Sequence, residues 1–180
     1  MQSQGWCEQT IYSRTLKFWG ITESGLAEKI APLLEMENPT VAPYANYGEV
    51  KLRISACAKS QESADKLIIP VEEEIRDIAG IDFYGINDES LASVVGKLLL
   101  ELGETLAVAE SCTGGGLGSM LTSIPGSSEY FYGGIIGYEN QVKITLLDVN
   151  EEDLIAEGSV SHTVATVSYT HLRAHETRTH

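Results

Sequence analysis

A change of apolar period between neighbouring segments constrains this chain more than any other feature. From Glu49 to Cys57 the residues alternate, with Val50, Leu52, Ile54 and Ala56 set against Lys51, Arg53 and Ser55. A period of two describes a strand with one buried face. From Ser60 to Ala79 the apolar positions are Ala64, Leu67, Ile68, Val71, Ile75, Ile78 and Ala79. That spacing is the 3.6-residue period of an amphipathic helix. A one-faced strand followed at once by a one-faced helix is most simply satisfied by packing the two together in layers.

The flanking residues extend the pattern. Thr15–Ile21 is rich in β-formers and reads as a strand. Thr22 or Ser24 caps a helix over Gly25–Leu34, which Asn38-Pro39 breaks. Val41–Tyr47 is expected to pair with Glu49–Cys57 around Gly48 as a hairpin. Gly80 ends the long helix and Ile81–Ile86 gives a last strand. The order β-α-β-β-α-β over residues 14–86 predicts a small α+β domain. The acidic pairs Glu72–Glu74 and Glu151–Asp153 read as solvated helix faces.

The second half follows a different rule. Asn87 or Asp88 caps a helix whose stripe is Leu91, Val94, Val95, Leu98, Leu99 and Leu102, closed by Gly103. Thr105–Ala109 is a buried-type strand running into Glu110-Ser111-Cys112-Thr113-Gly114-Gly115-Gly116 and a helix to Thr122. A Pro125–Ser128 loop leads to a strand over Tyr130–Tyr138. Helices over Glu139–Leu147 and Glu151–Ala156 complete residues 87–167. Alternating strands and helices predict an α/β layer. Residues 168–180, SYTHLRAHETRTH, carry three of the four histidines and show no apolar period. They read as a non-native or disordered tail, set aside from the fold.

The net charge is −14, from 12 Lys+Arg against 26 Asp+Glu. Residues 86–167 carry twelve acids against Lys97 and Lys143 alone. This balance disfavours nucleic-acid backbones and anionic membranes as general partners, since both repel negative charge. No apolar run approaches the ~20 residues of a membrane span. Cys7, Cys57 and Cys112 fit neither a zinc spacing nor a disulfide framework. With no basic-then-apolar leader at the N-terminus, they point to a cytoplasmic protein.

Three places in the sequence can carry chemistry. The turn Ser111–Gly116 joins a strand to a helix with small residues, so backbone amides can meet an anion there, or glycine dihedrals can simply form a tight turn. It lacks the Gly-Lys-Ser/Thr of a phosphate loop. Ser127, Ser128 and Lys143 suggest a serine whose proton a lysine removes, which works when burial lowers the lysine's pKa. The alternatives are a solvated helix lysine and a serine turn. Cys112 reads as a small packed residue, and Glu110 as a site residue or helix-start carboxylate. His162, the only histidine before residue 168, reads as a helix-surface residue. No metal site is expected.

The motifs AESCTGG, PGSS, GGIIGYENQVK and EGSVS occur in this order within residues 104–161. This stretch resembles the C-terminal domain of the CinA family (competence/damage-inducible protein A). Residues 14–86, beginning RTLKFWGITES, resemble that family's KH-like domain. The resemblance implies a metal-independent, cofactor-free serine/lysine amidase. It would convert nicotinamide mononucleotide to nicotinate mononucleotide and ammonia, in pyridine-nucleotide recycling. Carried over, Ser128 matches the nucleophile, Lys143 the base and Tyr138 a tyrosine of the same site. Ser111, Thr113, Gly114 and Gly115 match the substrate-lining turn. The choice between Ser111 and Ser128 as nucleophile stays open at this point.

The family pattern normally continues with AGP and KPVG motifs that are not found here. The expectation is therefore an incomplete three-layer α/β/α amidase domain over residues 87–167, with little or no activity. Residues 1–13 are expected to be the exit segment of a missing domain. The KH-like segment has no GXXG loop, which leaves a spacer or oligomerisation role, such as a homodimer, in place of nucleic-acid binding. The alternative function is a non-catalytic nucleotide-binding or oligomerisation module.

Overall fold

The computed structural model describes residues 10–46 and 49–176, and divides into two compact units, 1–91 and 92–180. Cys7, Tyr47, Gly48 and most of the expected exit segment lie outside the described residues.

In the first unit the elements run β1 (Thr10–Phe18), α1 (Glu23–Lys29), α2 (Ala31–Leu34), β2 (Thr40–Asn46), β3 (Glu49–Ala58), α3 (Gln61–Ala79) and β4 (Phe83–Ile86). The sheet order is β2-β3-β1-β4, with every pair antiparallel. β1 begins at Thr10 and ends at Phe18, earlier at both ends than its composition predicts. Its register explains the shift: it pairs with β3 from Thr10 opposite Ala58 to Phe18 opposite Val50. Residues 10–13 are therefore part of the sheet. The alternation holds, since Val50, Leu52, Ile54, Ala56 and Ala58 are buried against Leu16, Phe18, Leu26, Ile30, Ala64, Ile68 and Ile75. Of the two caps offered for α1 it is Thr22 that accepts from the Gly25 amide, and Ser60, read as the first residue of the long helix, caps α3 by accepting from the Ser63 amide. Pro70 lies within α3 on its exposed side, where packing of the opposite face outweighs the lost backbone bond.

Glu72 departs from its expected solvated setting. It is buried, and its carboxylate accepts from Arg14 Nη1 at 2.6 Å and pairs with Arg76 Nη1 at 3.4 Å. Arg14 also reaches Asp65 at 3.1 Å. Arg14 sits on the inward side of β1, and its charge draws Glu72 under the sheet.

The second unit contains α4 (Leu91–Leu102, whose first residue closes the first unit), β5 (Leu106–Glu110), α5 (Gly116–Thr122), β6 (Phe131–Ile136), α6 (Asn140–Leu147), α7 (Glu151–Glu157) and α8 (His162–Glu176). β5 and β6 form a two-stranded parallel sheet. With its helices, the chain as a whole is a mixed α/β protein. Leu147, Val149, Leu154 and Val164 form a small apolar core.

Two expectations fail in this unit. The leucine stripe of α4 is not its buried face: Ala92 and Gly96 point inward, while Leu98, Leu100 and Leu102 are exposed. The reason is Tyr130, fully buried, whose ring lies so close to Gly96 that a Cβ there would meet it at 2.7–2.9 Å. Second, residues 168–176 are helical, as the end of α8, which overturns the disordered reading of this stretch and leaves the non-native reading untouched. Val164 and Ser168 are both buried, one turn apart, so a helix started upstream carries on through a stretch with little apolar period of its own.

Candidate active site

A cavity of about 610 Å³ opens in the second unit. β5 and the start of its turn supply Glu110, Ser111 and Cys112. Lys143 comes from α6, and Ser159–His162 from the segment that leads into α8. The walls are largely apolar, with Leu106, Val108, Leu147 and Val164 among them.

Each side chain reaches the cavity for a local reason. β5 ends at Glu110, so the next residue, Ser111, stands at the mouth of the strand. The chain must then reverse, and Gly114 and Gly115 do this at φ +60 and +101, values that favour glycine. At Gly115 a Cβ would also strike Ile136 at 2.9 Å. Lys143 is buried on α6 and its Nζ donates to the Tyr138 carbonyl oxygen at 3.2 Å. Ser161 caps α8 by accepting from the Val164 amide at 3.3 Å.

Glu110 organises the turn. It is buried, and Oε2 accepts from Thr113 Oγ1 at 2.6 Å and the Leu117 amide at 2.8 Å. Oε1 accepts from the Gly118 amide at 2.8 Å. The Thr113 bond, then the Gly118 amide and the other backbone amides, outweigh burial and hold its carboxyl below the usual carboxylate range. The sequence reading left two alternatives for this turn, amides meeting an external anion or a tight glycine turn, and two for Glu110, a site residue or a helix-start carboxylate. Glu110 takes the helix-start role: its carboxylate engages the amides at Leu117 and Gly118 itself.

The expected site residues therefore separate. Ser111 and Lys143 line one cavity. Ser128 is exposed on a 3₁₀ turn over Ser127–Glu129 and does not line it. The Tyr138 side chain is exposed, and it is its backbone carbonyl that touches Lys143. Thr113 works through Glu110. Cys112, expected to be packed, is exposed at the cavity. Sequence reasoning assigned no role to Ser159 or Ser161, although both lie in the EGSVS motif. It took His162 for a surface residue only; it is exposed, and also lines the cavity. The available signal was a glycine ending one helix just before a serine that caps the next. Among the described residues no group of His, Cys, Asp or Glu is arranged to hold a metal ion, and no helix is long and apolar enough to cross a membrane.

Comparison with known families divides the chain close to where its two compact units meet in sequence. Residues 13–85 match the damage-inducible protein CinA KH domain, and residues 88–176 match the CinA C-terminal domain. The chain belongs to the CinA family. The C-terminal match includes residues 168–176, which the sequence reading set aside. A CinA-like protein of Trichodesmium erythraeum (strain IMS101) is 90% identical over 165 residues, which are 92% of this chain and 39% of that protein. One from Nostoc sp. (strain PCC 7120 / SAG 25.82 / UTEX 2576) is 64% identical over the same shares. The chain thus spans about two fifths of the length of these curated relatives. Among solved structures, the competence/damage inducible protein CihA from Agrobacterium tumefaciens is 34% identical, with a TM-score of 0.46, covering 47% of this chain and 52% of that one.

Proposed function

We propose that this cavity hydrolyses a primary carboxamide, with Ser111 as nucleophile and Lys143 as base. The substrate class implied by the CinA resemblance is a nicotinamide nucleotide, nicotinamide mononucleotide foremost. The carrying observation is that Ser111 and Lys143, from separate motifs, line one largely apolar cavity while Ser128 stays outside it. The hydroxyl of Ser111 loses its proton to the Lys143 amine as its oxygen attacks the amide carbon. The C–N bond then breaks, the lysine returns the proton to nitrogen, and ammonia leaves. Water repeats the sequence on the resulting ester and frees the carboxylic acid.

Ammonia release from nicotinamide mononucleotide, followed under single-turnover conditions with protein in excess, tests this reading. Lys143→Met and Ser111→Ala are each expected to slow release by roughly 10²–10⁴-fold or more, while circular dichroism stays unchanged. Unchanged release in the Lys143 variant overturns the base assignment. Saturable binding of the nucleotide with no release from the unmodified chain favours a non-catalytic binding module instead.

A further inference from the structure

The first unit has a polar sheet face opposite its core, and the register places like charges together on it. Lys17 on β1 stands directly opposite Lys51 on β3, and Lys51 in turn faces Tyr44 on β2. One row along, Thr15 is opposite Arg53, and beyond it Ser13 is opposite Ser55. Like charges directly opposite across an antiparallel pair are destabilising. Two lysines at that position, in a chain with more than twice as many acids as bases, go against the electrostatics of the fold.

The surroundings make the position a recess. A cavity of about 510 Å³ is lined by Ser13, Thr15, Lys17, Tyr44, Lys51, Asn87 and the acidic Asp88. Each ammonium has three N–H donors. Lys17 directs one to the Glu89 carbonyl at 2.7 Å, and Lys51 one to Glu49 at 2.7 Å. The Ser13–Ser55 bond of 2.9 Å needs only one of the two hydroxyl hydrogens. The guanidinium of Arg53 lies 5.3 Å from the Tyr44 ring centre. Burial raises the Tyr44 phenol's pKa, but hydrogen bonds from Thr15 and Arg53, with the charges of Arg53 and Lys51, outweigh it and leave the pKa below the ordinary value. The local field therefore favours negative charge.

We infer that this recess binds the phosphate group of a small anionic ligand between Lys17 and Lys51. Two opposed point charges with nearby hydroxyls suit a compact dianion, and lysine commonly binds phosphate as a point charge. Asp88 lines the recess, and Glu49, which also accepts the Tyr84 hydroxyl, is paired with Lys51 beside it. They would repel a polyanion laid across the whole face, which favours a small ligand over a nucleic-acid strand. The site lies wholly in the first unit and does not depend on the amidase reading.

Pyrophosphate is the probe, titrated into the full chain by calorimetry at fixed ionic strength, with potassium chloride as control and a single-stranded oligonucleotide as a second arm. Saturable one-to-one binding is expected. Lys17→Gln and Lys51→Gln should each weaken it by roughly tenfold or more, while Lys66→Gln, on the exposed side of α3, leaves it unchanged. No saturable binding, equal binding by the Lys17/Lys51 double variant, or oligonucleotide binding without pyrophosphate binding would each overturn the inference.

Discussion

Glu110 lies one residue before the proposed nucleophile and directs both carboxylate oxygens into its own turn. Its contacts are to Thr113, Leu117 and Gly118, so it holds together the turn that follows Ser111. Glu110→Gln replaces one acceptor oxygen with an N–H donor facing amide donors. Amide exchange at Leu117 and Gly118 should therefore speed up while β3 amides keep their protection; unchanged exchange would remove Glu110 from this role. The pH dependence has a definite sign. A carboxyl whose folded pKa lies below its unfolded value of about 4.3 adds stability that is complete above that value. The contribution is lost as the pH falls through the lower, folded pKa. Protection of these two amides should thus persist through pH 5 and fade only in stronger acid. Gly96 makes a different demand, for space. Gly96→Ala puts a methyl within 2.7–2.9 Å of a fully buried tyrosine. Overpacking of this kind costs about 1–3 kcal/mol, which urea unfolding of the second unit would register.

At the scale of elements, the periods of two and 3.6 were the most readable signals, and each was most reliable where one face is covered by a large core. β3 and α3 match their sequence pattern because sixteen buried residues of one cluster lie between the sheet and its helices. α4 does not, because the choice of face depended on Tyr130, far along the chain, and a small residue at Gly96 won over a row of leucines. Glu72 was misread for the same kind of reason: its partner Arg14 lies on another element, and no local pattern names it. This pair permits a direct test. Glu72→Ala leaves Arg14 without its main partner inside the unit. It should destabilise by about 3 kcal/mol, the low end for a buried pair because Arg14 still touches water. Replacing Arg14 and Glu72 together with Leu should recover most of that loss. If the double variant is as unstable as the single one, packing of the arginine stem matters more than charge.

At the scale of the molecule, the two compact units differ in what holds them together. Among the described residues, the first has a four-stranded sheet over a continuous core; the second has two paired strands, a buried cluster around Leu147 and separately buried Val108, Leu121 and Tyr130. Two-stranded sheets are marginal without further packing. Hydrogen exchange should therefore find the slowest amides in β1 and β3, with β5 and β6 opening sooner, and one shared rate for both units would contradict this. The site was legible in parts. Lys143 and the AESCTGG turn were visible as motifs, but which serine shares a cavity with the lysine depends on where β5 ends and how α6 returns, and spacing along the chain does not carry that. The fold also puts Ser159–His162 at the cavity, where a linear reading gave only the EGSVS motif and a helix-surface histidine. The central claim, that Ser111 and not Ser128 forms the covalent ester, is most directly tested by mass spectrometry of the chain quenched during single turnover of nicotinamide mononucleotide. The expected result is the nicotinate nucleotide's acyl mass on the peptide containing Ser111 and its absence after Ser111→Ala. The same mass on the Ser128 peptide, surviving in the Ser111 variant, would contradict it.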